Sequence, residues 1–165
     1  MTIRVLVTGG TFDKQYNELE GSLSFRESHV EDMLARGRCM LDVTVEVLMM
    51  IDSLDMKDAD RARVVQTCRA CAESQVVITH GTDTMVETAR AIALAAVKGK
   101  TIVLTGAMIP FAFGSSDGLF NLGSALSFAQ TLPAGVYVAM NGRWFAWDDV
   151  RKNHDVGVFV PIKGR

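Results

Sequence analysis

Apolar and β-branched residues gather in five short runs along the chain: IRVLVT (3–8), VTVEVLM (43–49), QVVIT (75–79), KTIVLT (100–105) and GVYVAM (135–140). Each run is nearly continuous rather than alternating, which predicts strands covered on both faces, as in a parallel sheet. Between the runs the spacing becomes helical. In 58–74 it places Ala62, Val65, Cys68/Arg69 and Ala72 on one face. In 118–132 it aligns Leu119, Leu122, Leu126 and Ala129, while 84–98 is rich in Ala, Ile and Leu. A shorter candidate helix, 24–37, ends at Gly37.

Strands alternating with helices predict an α/β fold with a doubly wound, mainly parallel five-stranded sheet. The expectation is a flavodoxin-like (Rossmann-like) three-layer domain over 1–165, with strand order 2-1-3-4-5. Such sheets bind ligands outside the carboxyl ends of their strands. Thr8-Gly9-Gly10-Thr11, Asp52-Ser53, Thr79 to Asp83, Thr105-Gly106 and Asn141 all follow a run directly, so they are expected along one edge. The polar, weakly patterned stretch 12–23 reads as a mobile loop over that edge. The C-terminal 142–165 shows short extended pieces, RWFAWDD and VGVFVPI, and no helix.

Composition narrows the function classes. The formal net charge is −2, with no basic block, which argues against nucleic acid as the main partner. No segment approaches the roughly 18 unbroken apolar residues of a membrane span. The chain opens MTIRVLVTGG and enters a core strand with no signal-type stretch. Cys68 and Cys71 satisfy C-x-x-C, but they sit on a helical pattern without a second pair. Two small residues on a helix face is the stronger reading than a redox or zinc motif. A reducing cytoplasm is the expected location.

Three polar turns could carry chemistry: TGGT (8–11), THGTDT (79–84) and GAMIPFAFGSSDG (106–118). Gly9 and Gly10 allow a tight turn and close backbone approach, and Thr11 is either a local turn hydroxyl or a presented one. The dinucleotide G-x-G-x-x-G spacing and the phosphate-loop pattern are both missing. Asp83 reads equally well as a helix N-cap or as a functional carboxylate. His80 reads as a buried, hydrogen-bonded loop residue, since no ligand-spaced cluster accompanies it. A threonine hydroxyl attacks only when a neighbour takes its proton. Tyr16 and Lys152 are the candidates for that task. The residues alone thus describe a small-molecule site of hydroxyls, carboxylates and backbone amides, and stop short of a reaction.

Taken together, these segments resemble the bacterial-type L-asparaginases with paired threonines. VTGGTF looks like that family's T-G-G-T-I signature, and VVITHGTDTMVETA is similar to its second signature almost residue for residue. GAMIPFAFGSSDGLFNL, IDSLDMKD and DDVRKNH resemble three further family segments, so the likeness spans about 3–160. It implies an amidohydrolase turning L-asparagine into L-aspartate and ammonia without metal or cofactor. Thr11 is then the nucleophile, and Tyr16 on the lid orients or deprotonates it. Thr82, Asp83 and Lys152 form a second catalytic group. Ser53 holds the substrate α-carboxylate and Asp83 its ammonium, while Gly10, Leu54, Gly81, Ala107 and Met108 line the substrate position.

Three departures from the family pattern matter. The chain stops after the equivalent of the family's N-terminal domain, and reads as a short form lacking the C-terminal one. Leu54 stands where the family has a substrate-binding glutamine. Ile109 replaces an arginine, and Phe111 and Phe113 make the neighbouring loop more apolar. Without the second domain, self-association into a dimer or tetramer is expected, with these aromatics as a contact.

Overall fold

All five apolar runs are parallel strands in the computed structural model, which describes residues 1–163. The first half runs β1 (Thr2–Gly9), β2 (Lys14–Asn17), β3 (Ser22–Phe25), α1 (Val30–Arg36), β4 (Asp42–Ile51) and α2 (Asp58–Ala70). There follow β5 (Gln75–Thr79), α3 (Met85–Leu94), β6 (Thr101–Thr105), α4 (Gly118–Thr131) and β7 (Gly135–Met140). Three short strands close the chain: β8 (Arg143–Ala146), β9 (Arg151–Asn153) and β10 (Val158–Val160).

The central sheet has the order β4-β1-β5-β6-β7-β8. Its five parallel strands follow the expected 2-1-3-4-5 order. The sheet has a sixth strand, however, because β8 folds back antiparallel on β7. The reason is local. Asn141 and Gly142 have φ of 58° and 74°, the two-residue turn that joins antiparallel strands. This Asn-Gly pair was a readable hairpin signal.

Because strand side chains alternate, each parallel strand feeds two cores. Leu6, Ile78, Leu104 and Val138 stand in one row across the sheet and pack under α2 and α3. Val5, Val77, Val103 and Tyr137 form the adjoining row and pack under α1 and α4. The result is the expected three-layer arrangement. β4 departs from the pattern: it is the outer strand, and Val47 is left 54 % exposed. An apolar run there reports sheet membership but not two-sided cover.

Helix faces differ in detail from the sequence reading. α2 buries Val64, Val65 and Cys68, while Ala62, Arg69 and Ala72 face solvent. Val65 and Cys68 lie where the spacing put them, but alanines fit either face of a helix and so misplaced the rest of the stripe. On α4, Leu122, Leu126 and Ala129 are buried as expected, joined by Ala125 and Asn121, but Leu119 lies at the rim. Of the proposed helix at 24–37, only Val30–Arg36 is helical. The stretch read as a mobile loop is largely the β2–β3 hairpin: Lys14 to Asn17 pair with Phe25 to Ser22. Half of that pairing comes from residues beyond the stretch, which is why its own pattern looked weak. Among the described residues, no helix is long and apolar enough to cross a membrane.

Gly10 sits at φ 76°, and a Cβ there would fall 2.3 Å from the Gly81 backbone nitrogen. Replacing Gly10 by alanine is therefore expected to cost roughly 2–4 kcal/mol, from combined strain and backbone displacement. Urea unfolding of Gly10→Ala checks this; a midpoint equal to the parent's would contradict the close contact.

Candidate active site

The carboxyl ends of four neighbouring strands meet through glycines. Gly10 donates its N–H to Ile51 O at 2.9 Å, locking the end of β1 to that of β4. A Cβ on Gly81 would lie 2.5 Å from the Ser53 side chain, and one on Gly106 2.4 Å from His80 O. With the Gly10–Gly81 contact, the turns after β1, β4, β5 and β6 touch backbone to backbone or nearly so. Thr11 and Thr82 each follow one partner of the Gly10–Gly81 contact, so the fold places the two threonines at one point on the sheet edge.

Thr11 opens a single 3-10 turn, Thr11–Asp13. Behind it Phe12 and Asp13 are buried, which fixes the turn from below. Asp13 accepts the His29 N–H at 2.7 Å and the Ser28 hydroxyl at 3.3 Å. Burial pushes its carboxyl up from the ordinary value, and the bond from His29 N–H pulls the other way. Thr11 itself is half-buried.

Lys152 arrives from β9, on a different layer, and is the group that assembles the cluster. Its Nζ donates to Thr82 Oγ1 at 2.8 Å and to Asp83 Oδ1 at 2.7 Å. The lysine side chain is only 10 % exposed, against 35 % for Asp83. A cation this desolvated requires a paired anion, and Asp83 is that partner. The N-cap reading of Asp83 does not hold: Thr84 is the residue that precedes α3, with no side-chain cap. Ser53, almost fully buried, holds Thr84 in place instead. Its Oγ accepts the Thr84 N–H at 3.3 Å, and its carbonyl accepts the Thr84 hydroxyl at 2.7 Å. The Ser53 hydroxyl proton is left to donate elsewhere.

Other expected residues are more loosely gathered. Tyr16 lies on β2, is 57 % exposed, and makes no hydrogen bond to Thr11 among the described residues. The hairpin that carries it is anchored by an ion pair between Lys14 and Asp52. Leu54 is 71 % exposed, its N–H held by Asp52 Oδ1 at 3.0 Å. Ala107 is buried, and Met108 is exposed with its N–H bonded to the Asp117 carboxylate at 3.0 Å. Phe111 is not a free contact: it packs near His29 and under the Arg36 guanidinium, whereas Phe113 is exposed. The Cys68 thiol is buried, which pushes it up to about 12; that is the opposite of redox activation.

His80 is buried, as read from the sequence. Nδ1 donates to Gly81 O at 2.8 Å, and Nε2 accepts the Thr88 hydroxyl at 2.7 Å. The ring so braces the strand end that carries Thr82. Sequence reasoning missed the parts played by Asp117 and Asn121, and placed Asn141 at the sheet edge without giving it a task. Asp117 binds the N–H groups of both Met108 and Ile109, and Asn121 binds Gly106 O at 2.9 Å. Only the S-S-D-G turn before an apolar helix hinted at Asp117. An open groove of about 730 Å³ lies elsewhere, lined by Met33, Met40, Leu119 and Phe120, and holds none of these polar groups.

A family model described as "Asparaginase, N-terminal" matches residues 2–158. The chain belongs to the asparaginase family. It is 33 % identical to a probable periplasmic L-asparaginase of Haemophilus influenzae, over 94 % of this chain and 47 % of that protein. It is 30 % identical to a glutaminase-asparaginase of Pseudomonas fluorescens biotype A, over 96 % and 46 %. A solved structure titled as a probable cytoplasmic L-asparaginase from Campylobacter jejuni superposes with a TM-score of 0.81 at 32 % identity, covering 96 % of this chain and 52 % of that one. This asparaginase-family chain thus spans about half the length of the curated relatives it matches, and corresponds to their N-terminal domain.

The buried His80 also sets an acid limit on this asparaginase-type domain. Desolvation depresses its ring to about 4, below the ordinary 6.5, with Arg61 adding to the effect. The unfolded chain then binds the proton first. Stability present above about pH 6.5 is lost as pH falls toward 4, by up to about 3 kcal/mol. The raised Asp13 carboxyl works in the opposite sense and returns part of that loss. NMR titration of the His80 ring checks the cause: it should stay neutral to near pH 4, and a midpoint near 6.5 would contradict it.

Proposed function

We propose that this domain hydrolyses the side-chain amide of L-asparagine, giving L-aspartate and ammonia. One observation carries the reading: Lys152 bridges the Thr82 hydroxyl and the Asp83 carboxylate in a nearly buried cluster, beside the glycine contact that presents Thr11. A domain that only bound an amino acid would need charges to anchor it. It would gain nothing from burying a lysine against a hydroxyl.

In this scheme Thr11 Oγ attacks the amide carbon while its proton passes, with Tyr16 assisting, toward the departing nitrogen. The C–N bond breaks, ammonia leaves, and a β-aspartyl ester remains on Thr11. Backbone N–H groups at the glycine turns stabilise the oxyanion. Water then attacks the ester carbon, activated by Thr82, Lys152 and Asp83, and the ester bond breaks as the proton returns to Thr11. Tyr16 reaches Thr11 by movement of the β2–β3 hairpin, since it lies open at rest. Ser53 donates to the substrate carboxylate with the proton left free by Thr84. Asp83 Oδ2, which has no hydrogen-bond partner among the described residues, meets the ammonium. Gly10, Gly81, Ala107 and Met108 supply the backbone around the carboxamide. The chemistry uses side chains and backbone alone.

A second reading, an amidase for another small amide, is favoured by Leu54. An exposed apolar side chain there offers the substrate no polar contact. We further propose that residues 1–165 work as one domain and self-associate as a dimer or tetramer. Met40 at 95 % exposure, Phe120 at 63 % and Phe113 at 52 % are apolar surface that a second copy would cover. A cytoplasmic location fits Cys39, Cys68 and Cys71, all of them free thiols.

Thr11→Ala and Thr82→Ala are each expected to lower ammonia release from asparagine by at least about a hundredfold, a general acid–base or nucleophile-sized loss. Circular dichroism should be unchanged. Near-parental turnover in either variant would remove that threonine from the scheme, and turnover only of another amide would select the second reading. Light-scattering mass should read at least twice 18.0 kDa; a clean monomer would rule out self-association.

A further inference from the structure

Lys152 is the least expected member of the cluster, because its carrier is so slight. β9 and β10 are three residues each and form a two-stranded sheet of their own, apart from the main one. A ribbon that small is not stable alone, yet it must hold an ammonium against Thr82 and Asp83. Something outside the ribbon fixes it.

The register shows where it is fixed. Phe159 lies directly opposite Lys152, so their side chains leave the ribbon on the same face. Phe159 is 2 % exposed and part of the core under α2 and α3. Its N–H donates at 3.0 Å to Oδ1 of Asn141. Asn141 is held in turn: its own N–H donates to Asn121 Oδ1 at 3.1 Å. Asn121 is fully buried, and spends both amide protons on Gly106 O at 2.9 Å and Asp117 Oδ2 at 3.0 Å. Every polar atom of the Asn121 side chain is used. One line of hydrogen bonds therefore runs from the Gly106–Ile109 turn, through Asn121 and Asn141, to the residue opposite Lys152.

We propose that Asn141 is a positioning residue for Lys152. Its side chain ties β10 to the end of β7, and the β9–β10 register transmits that tie to the lysine. Its position in the Asn-Gly turn offers a plainer explanation, since φ of 58° favours asparagine. The two explanations separate cleanly. Glycine meets the turn's backbone demand equally well but has no Oδ1. Aspartate meets both, as it tolerates this conformation and keeps an acceptor at the same place.

The test reads the lysine directly and does not need turnover. Trace labelling with acetic anhydride, followed by peptide mass spectrometry, compares Lys152 with the exposed Lys98 of the same chain. In the parent protein and in Asn141→Asp, Lys152 should label far more slowly than Lys98. In Asn141→Gly its relative rate should rise by at least about fivefold, the opening expected when one ordinary hydrogen bond is lost. Unchanged protection in Asn141→Gly overturns the proposal, as does loss of protection in Asn141→Asp. If Asn141→Gly fails to fold, hydrogen exchange of the Phe159 amide in the parent decides. Slow exchange supports the tie, and exchange at the rate of an open loop overturns it.

An activity arm rests on the amidohydrolase reading. Asn141→Gly should lower kcat for asparagine with little change in KM, Asn141→Asp should restore it, and added to Lys152→Met it should cause no further loss. If the parent protein itself releases no ammonia, the amidohydrolase reading falls while the labelling result still decides the role of Asn141.

Discussion

The constraint on which the site depends is the approach of backbones at the carboxyl edge of the sheet. Parallel strands about 4.8 Å apart bring their ends close but not into contact. Contact requires that the residues after them carry no side chain. Gly10 against Gly81, Gly81 against Ser53 and Gly106 against His80 meet that demand. The two threonines are then placed by the turns and not by any bond between them. A methyl group at any of these positions would displace a whole strand end. Placement of the two threonines and sheet integrity are therefore one property here.

On that rigid edge the charged part of the site is assembled from far away. Lys152 lies about seventy residues beyond Thr82 and Asp83 in the chain. It comes from a ribbon that, among the described residues, pairs with no strand of the central sheet. Burial makes the arrangement all-or-none, because a lysine removed from water without its carboxylate would be strongly destabilising. Ser53, Thr84 and His80 brace the facing turn, and Asn121 and Asn141 brace the ribbon. The division is between two hydroxyls set by the turns, a lysine bridge brought to them from outside the sheet, and an exposed hairpin bearing Tyr16.

Much of the fold was legible. Five β-branched runs with helices between them indicate a doubly wound sheet, and the observed order of the parallel strands agrees. Where the reading failed, the residues show why. Ala62 and Ala72 carry no preference between core and solvent, so the stripe on α2 was right at Val65 and Cys68 but left out Val64 and took in exposed positions. Val47 has the composition of a covered residue but lies on an outer strand, whose exposure depends on strand order. The hairpin at β2 and β3 is a pairing between two weak segments, and no window containing one of them reveals it. At the site, Thr82, Asp83 and Lys152 were named in advance because a family pattern marks them. Asn121 was not, and Asn141 was placed on the edge with no task assigned, since a single asparagine looks alike in a turn, a helix or a relay.

What the sequence determined by itself was periodic or chemical: which runs become strands, where glycine permits a turn, and which side chains can donate, accept or carry charge. These are properties of neighbouring residues, and neighbours are what a linear chain records. Tertiary structure alone decided that Lys152 reaches Thr82 and not solvent. It also decided that Asp83 serves as an ion-pair partner and not as a cap, and that a two-residue turn at Asn141 steadies a ribbon eighteen residues onward. Each of those outcomes depends on burial and on partners distant in sequence. Desolvation and hydrogen-bond geometry take effect only once the layers have closed.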